Sequence, residues 1–310
     1  MSREFARRDD AGNCYLDGSL AALRRVDTIR DVTGGAKSRM RTPFQHAQFL
    51  QASVALHGIA VGLWLLQPQA WPWIIGGIAA DHLALVLGGV LPRSTLLGPN
   101  LRKLPRTSHH DRSIALTFDD GPDPHVTPLV LARLDEYQAK ATFFCVAERA
   151  KAAPGLIAEI VRRGHGVENH TYSHPNGFFF LGPRGLASEI DRAQSELARQ
   201  AGSQPTWFRA PAGVRSPLLN PFLAARSLGL ASWTRRGFDT VTRDPVAVAK
   251  RLCHRLSAGD ILVMHDCGSA LDRTRRPVVL ESLPRVLDEM VQAGLKSVAL
   301  PCRGNEADRG

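Results

Sequence analysis

Two adjacent carboxylates run straight into a Gly-Pro turn at Thr117-Phe118-Asp119-Asp120-Gly121-Pro122. Neighbouring side chains on a strand point to opposite faces, so a turn must intervene before both carboxylates reach one site. With that turn, one can bind a metal while the other moves a proton. The plain alternative is an Asp-rich turn, because Asp-Gly-Pro is also ordinary turn chemistry. Further on, Glu168-Asn169-His170-Thr171-Tyr172-Ser173-His174 carries histidines at i and i+4. On a helical turn that spacing puts both imidazoles on one face, where they can share a metal. A carboxylate from another element completes a His-His-carboxylate set with open positions, suited to zinc or a related divalent ion holding a water. Chance or surface packing is the competing account of this pair. In Thr206-Trp207-Phe208-Arg209-Ala210-Pro211-Ala212-Gly213, an arginine precedes a Pro–Gly turn. It can pair with a carboxylate while the turn aims backbone N–H groups inward. Last, Ile261-Leu262-Val263-Met264-His265-Asp266 ends an apolar run in a histidine, which taken alone reads equally well as a core residue.

These residues need elements that bring them to one place. From Ser113 onward, short apolar runs alternate with amphipathic segments. Ile114–Phe118, Ala141–Val146, Thr206–Arg209, Ile261–Met264 and Ser297–Leu300 read as strands. Pro128–Tyr137, Pro154–Arg163, Arg184–Gln200, Pro245–Leu256 and Pro277–Ala293 read as helices, several with proline at or near the first turn, where its missing N–H costs nothing. Such alternation implies a parallel sheet or barrel with helices outside. In a parallel barrel the C-terminal strand ends converge on one mouth. The chemistry-bearing segments all sit at such ends.

The first third of the chain differs in kind. Residues 1–48 are polar and Arg-rich and read as a poorly ordered tail, with Met40 as an alternative start. Phe49–Leu66 is an 18-residue run without Asp, Glu, Lys or Arg, and Trp71–Leu91 is a 21-residue run whose one formal charge is Asp81. As helices they measure about 27 and about 31 Å, close to the thickness of a bilayer core. Trp64, Trp71 and Trp73 lie near their ends, where interfacial aromatics belong. The segment 49–91 therefore reads as a helical membrane hairpin, against the alternative of a helix pair buried on the barrel. Residues 92–112 read as a linker and 303–310 as a tail. Nine Lys/Arg precede the hairpin, and Arg93, Arg102, Lys103 and Arg106 follow it. The positive-inside rule then puts both flanks in the cytoplasm.

Composition excludes other classes. Apolar residues make up 44% and charged residues 22% of the 310, so the chain is not disordered or collagen-like. The net charge of +10 divides into +6 over residues 1–112 and +4 over the longer remainder, which leaves no basic stripe for nucleic acid. The five cysteines, Cys14, Cys145, Cys253, Cys267 and Cys302, are odd in number and lack C-x-x-C spacing. That argues against a disulfide framework or a cysteine zinc site, and in favour of a reducing compartment.

Taken together, TFDDGP at 117–122, HTYSH at 170–174, RAPAG at 209–213 and LVMHD at 262–266 resemble the polysaccharide deacetylases, carbohydrate esterase family four, with the NodB-homology domain. The likeness runs from about Ser113 to Leu300, within a catalytic domain read as 113–302, and its motifs occur in the family's order. It implies an α/β fold, a distorted (β/α)7 barrel. It implies Asp120, His170 and His174 as ligands of a divalent metal, zinc or alternatively Co2+ or another divalent ion. It implies Asp119 as general base, His265 as general acid and Arg209 as the partner of Asp119. The Ala212 N–H would contribute to an oxyanion hole. Asp239 is the candidate that tunes His265. Two positions depart from the pattern: Ala212 stands where a tyrosine is common, and Thr240 where a tryptophan is expected, with Trp233 nearby.

The activity so implied is removal of N-acetyl or other short acyl groups from an acetylated amino-sugar glycan. The alternatives are an O-acetyl esterase and a catalytically silent glycan-binding module. Phe178-Phe179-Phe180 follows the histidine pair directly and either packs on the core or meets lipid. With the hairpin, it points to a lipid-linked sugar at an inner-membrane-like surface. The Lys/Arg flanks put the catalytic part in the cytoplasm, whereas the family habit is extracytoplasmic. His109, His110, His125, His165 and His254 have no partner in a motif. Cys145 reads as a core residue, and Cys267 as structural despite its place beside His265-Asp266.

Overall fold

Ser113–Asp119 (β3) is buried at all seven positions, so it must be covered on both faces, as a central parallel strand is. The computed structural model describes residues 6–8, 14–16, 48–105 and 112–303. In it β3 pairs in parallel with Ala141–Cys145 (β4) on one side and Ile261–His265 (β9) on the other. Gly166–Asn169 (β5), Trp207–Phe208 (β6) and Gly229–Leu230 (β7) extend the sheet beyond β4, and Arg235–Arg236 (β8) extends it beyond β9. The result is a curled seven-strand path, β7-β6-β5-β4-β3-β9-β8, with Lys296–Ser297 (β10) pairing the start of β3. This is the distorted barrel expected from the sequence. The two-residue strands β7 and β8 escape a pattern-based reading because they are too short to show alternation.

The period of two along each strand sorts the side chains into layers. Ala115, Phe144, Trp207, Ile261 and Val263 form the cluster inside the curl. Leu116, Phe118, Phe143, Leu262 and Met264 belong to the larger cluster beneath the helices. The inward parity therefore continues to Asp119 on β3 and His265 on β9, which are register partners. The outer layer is made by Thr127–Glu136 (α3), Ala147–Ala152 (α4), Leu156–Arg162 (α5), Pro183–Ala201 (α6), Leu219–Ala224 (α7), Pro245–Cys253 (α8) and Val278–Gln292 (α9). On α9, Val279, Leu283, Val286, Leu287 and Met290 bury one helical stripe against the sheet.

Residues 101–104, part of the stretch read as a linker, take up the seam between the two ends of the curl. The Leu101 N–H donates to the Leu230 carbonyl, and the Leu104 N–H donates to that of Gly259. Isolated bridges join Leu101 to Ala231 and Lys103 to Asp260. His109 and His110 lie outside the described residues, as does most of the N-terminal tail. Within that tail Ala6–Arg8 (β1) pairs antiparallel with Cys14–Leu16 (β2), which the sequence did not foreshadow. Cys145, Cys253 and Cys267 are free thiols, but Cys302 is disulfide-bonded, against the expectation drawn from the odd cysteine count.

Gln48–Leu66 (α1) and Trp71–Val90 (α2) form a hairpin around a short 3-10 turn at Pro68–Ala70. They are not the buried pair of the alternative account. Only 11% of each 18-residue apolar window is buried, and both helices are long and apolar enough to cross a membrane by length and composition. The last turn of α2 docks on the barrel. Helix C-termini leave carbonyls unpaired, and a cationic side chain there satisfies them and complements the helix dipole. Arg215, buried, donates through Nη2 to the Gly88 carbonyl at 2.8 Å and the Ser94 carbonyl at 2.9 Å. Its own N–H donates to the Gly89 carbonyl at 3.0 Å. A Cβ on Gly89 would stand 2.6 Å from the Arg215 carbonyl oxygen, so only glycine permits this approach.

Candidate active site

Asp119, the last residue of β3, points into the curl and meets Arg209, which comes from the end of β6 across the curl, two residues beyond Trp207. Arg209 Nη1 donates to Asp119 Oδ1 at 2.6 Å and to Thr117 Oγ1 at 2.8 Å, while Nη2 donates to the Ser232 carbonyl at 3.0 Å. Its guanidinium lies 3.9 Å from the centre of the Phe144 ring. Arg209 is 1% exposed, so each charge of this pair is the other's compensation for lost hydration. Thr117, which no sequence motif singled out as a partner, is located by parity: it lies two residues before Asp119 on the same face.

Asp120 leaves the strand through a left-handed conformation, φ 71°. That is the turn the two carboxylates required. Arg149 donates to the Asp120 main-chain carbonyl and braces the turn. The Asp120 Oδ1 atom comes to 3.2 Å from His170 Nε2 and 3.1 Å from His174 Nε2. Burial on its own would raise the Asp120 pKa, but the two imidazoles facing it outweigh that effect and hold the carboxyl well below the usual carboxylate range.

The histidine pair converges, though not on a helix as the i,i+4 spacing suggested. Residues 170–174 are a loop after β5, with left-handed Thr171 (φ 71°) and His174 (φ 53°). These two reversals, not helical pitch, bring the rings together. The His170 Nδ1–H donates to the Arg209 carbonyl at 2.9 Å, which leaves its Nε2 lone pair facing Asp120. The His170 Nε2 atom is buried and has no protein hydrogen bond. A donor-lined cradle with an orphaned imidazole nitrogen fits a divalent ion. One ligand atom from each of Asp120, His170 and His174 lies within 4.8 Å of the others.

His265, at the end of β9, is held by Asp239. The carboxylate accepts the His265 Nδ1–H at 2.9 Å through Oδ1 and the His265 main-chain N–H at 2.7 Å through Oδ2. Burial pushes the His265 pKa down, but the Asp239 hydrogen bond and charge, with smaller help from Asp119 and Asp120, win and raise it to about 8. Ala212 sits at φ 54° in the 3-10 turn Pro211–Gly213. Among the described residues its N–H has no backbone acceptor, so it remains available to the cavity.

These groups share one cavity of about 160 Å³, lined by Asp119, Asp120, His174, Ala212 and His265 among others. The sequence missed Arg236, which also lines it. Its Nε is buried without a hydrogen-bond partner, and its guanidinium lies 5.5 Å from the Trp233 ring centre. Beneath the site Asp266 accepts from Thr127 Oγ1 and packs on Gly121, whose missing side chain makes room for that carboxyl. Burial raises the Asp266 pKa to about 7. Phe178 and Phe180 part company: Phe178 is core, 1% exposed, whereas Phe180 is 82% exposed.

The family model described as "Polysaccharide deacetylase" matches residues 106–233. A chitooligosaccharide deacetylase of Sinorhizobium fredii is 32% identical over 217 residues, covering 65% of this chain and 96% of that protein. The chain belongs to the polysaccharide deacetylase family. A peptidoglycan-N-acetylglucosamine deacetylase of Bacillus cereus is 29% identical, covering 62% of this chain and 88% of the relative. A crystal structure of a peptidoglycan N-acetylglucosamine deacetylase superposes with a TM-score of 0.58 at 25% identity, covering 65% of this chain and 91% of that one. Its family makes the chain a hydrolase of the glycan-deacetylase type.

Proposed function

We propose that this deacetylase removes an N-acyl group from an amino sugar, with a divalent metal at Asp120, His170 and His174. The observation that carries this reading is the convergence of a paired base, an acidic histidine and a two-histidine–carboxylate cradle on one cavity. When bound, the metal supplies Lewis acidity toward the acyl carbonyl and makes a water more acidic. Arg209 occupies one oxygen of Asp119 and leaves the other to take the proton of the attacking water. The Ala212 N–H is placed to donate to the oxygen on which negative charge develops. Asp239 fixes the Nδ1–H tautomer of His265 and favours its charged form. His265 Nε2 then delivers a proton to the departing amine. Water adds to the acyl carbon, the C–N bond breaks, and a carboxylic acid and a free amino sugar leave.

The finer reading is a lipid-linked substrate met at a membrane surface. Three features support it. The apolar hairpin is clamped by Arg215, two residues after the Ala212–Gly213 turn. Pro92, just past α2, packs on that same turn, since a Cβ on Gly213 would lie 3.0 Å from Pro92 Cβ. Phe180 offers an exposed ring beyond the histidine loop. The deciding experiment is acetate release by the full chain from chitooligosaccharides, an O-acetyl ester and a lipid-linked N-acetyl sugar, with and without chelator, beside Asp119→Asn. Metal-dependent release that vanishes in Asp119→Asn is expected, with the lipid-linked amide preferred. Chelator-resistant release, or an undiminished mutant, would overturn the mechanism. Preference for the ester would make the chain an esterase, and preference for soluble sugars would remove the lipid-linked reading.

A further inference from the structure

The middle of the apolar hairpin holds a second group of metal-type donors. His57 on α1 and Asp81 and His82 on α2 offer ligand atoms that lie within 4.8 Å of one another. The two Nε2 atoms of His57 and His82 are 3.2 Å apart. Two nitrogens on one tetrahedral zinc, each at about 2.0–2.1 Å, stand roughly 3.3 Å from each other. The spacing is thus that of two ligands sharing an ion. His57 Nδ1 lies 2.8 Å from the Ser53 carbonyl oxygen, which can only accept, so this nitrogen carries the proton. A neutral His57 then turns its Nε2 lone pair toward His82. A carbonyl that fixes the tautomer in this way is the usual outer support of a metal-binding imidazole. The Asp81 carboxylate is 7% exposed and is oriented by the Ser53 hydroxyl, which donates to Oδ2 at 2.7 Å.

Charge gives a second, independent reason. α1 and α2 contain no Lys, Arg or Glu, and Asp81 is their only formally charged residue. A carboxylate in the middle of so apolar a segment is costly unless something of opposite charge reaches it. No fixed cation within the hairpin can do so. Two imidazoles and one carboxylate are a donor set that suits zinc and leaves a position open.

We propose that His57, His82 and Asp81 form a second divalent-metal site, separate from the catalytic centre, which staples α1 to α2. It does not depend on the catalytic reading, because its ligands and its readout lie in the hairpin. The test is zinc content of the full chain in detergent micelles, measured by plasma mass spectrometry. Two zinc ions per chain are expected for the wild type. One is expected for His57→Ala/His82→Ala, one for His170→Ala/His174→Ala, and none for the fourfold variant. Equal zinc in the wild type and His57→Ala/His82→Ala would overturn the proposal. Cobalt(II) titration of His170→Ala/His174→Ala should give the visible bands of a tetrahedral site, and Ser53→Ala should weaken that binding about 10–100-fold. If the double hairpin variant does not fold, His82→Gln in the same background serves, since Gln keeps a hydrogen-bonding side chain. Loss of the cobalt bands in folded His82→Gln supports the site. Bands that are unchanged, or that never appear in the parent, leave only an interhelical hydrogen bond and refute it.

Discussion

Asp239→Asn tests the assignment of His265 as the proton donor. In the wild type the Asp239 carboxylate accepts two hydrogen bonds from His265 and lifts its pKa from 6.5 to about 8 against the opposing effect of burial. Asparagine preserves the size but removes the negative charge. The imidazolium then loses its main support, while burial continues to favour the neutral ring. His265 should fall to its ordinary value or lower, a shift of at least about 1.5 pKa units, or about 2 kcal/mol. A general acid works only when protonated, so activity is lost as pH rises through the folded pKa. At pH 7.5 a group at 8 is about three-quarters protonated and one at 6.5 about one-tenth, so the loss there is about eightfold from protonation alone. The assay is kcat/KM against pH from 5 to 9.5 for both proteins at equal metal loading. The alkaline limb should move from near pH 8 to pH 6.5 or below in the variant. An unmoved limb in a folded Asp239→Asn protein would refute the assignment of the donor.

Three further outcomes follow from the contacts described. Arg209→Met leaves Asp119 buried without its partner, so it should cost about 3–5 kcal/mol in denaturant unfolding and abolish turnover; a variant of wild-type stability would show that the pair contributes little. Phe178→Ala removes a core ring and should cost about 3–5 kcal/mol, whereas Phe180→Ala should leave stability nearly unchanged and reduce turnover of a lipid-linked substrate more than of a soluble one; equal losses on both substrates would remove the role for Phe180. Arg215→Ala deletes charge-assisted hydrogen bonds worth about 1.5–3 kcal/mol to the Gly88 and Ser94 carbonyls. Amide exchange at residues 88–98 should rise while exchange in β3 and β9 stays slow; unchanged exchange at 88–98 would show that the clamp does not hold the hairpin.

Much of this protein is written locally. The four motifs, the strand–helix alternation and the lengths of the apolar helices are short-range patterns, and each was legible because neighbouring residues alone create it. The parity of β3 and β9 even directs Asp119 and His265 inward before any partner is known. What the chain could not express locally is which groups meet. Arg209 reaches Asp119 and Thr117 across the curl, and Asp239 reaches His265 from another strand end, because the sheet order sets those distances. The histidine pair shows the limit from the other side. Its spacing matched a helix, but left-handed Thr171 and His174 build the convergence in a loop, and φ there is imposed by tertiary packing. Phe178 and Phe180 are the same residue type in one run, yet one is core and the other exposed, since burial depends on where Phe208 and α6 lie. Arg215 belonged to no motif at all. Its role exists only because the end of α2 comes to rest beside it, where unpaired helix carbonyls need a donor and Gly89 has no side chain to block the approach.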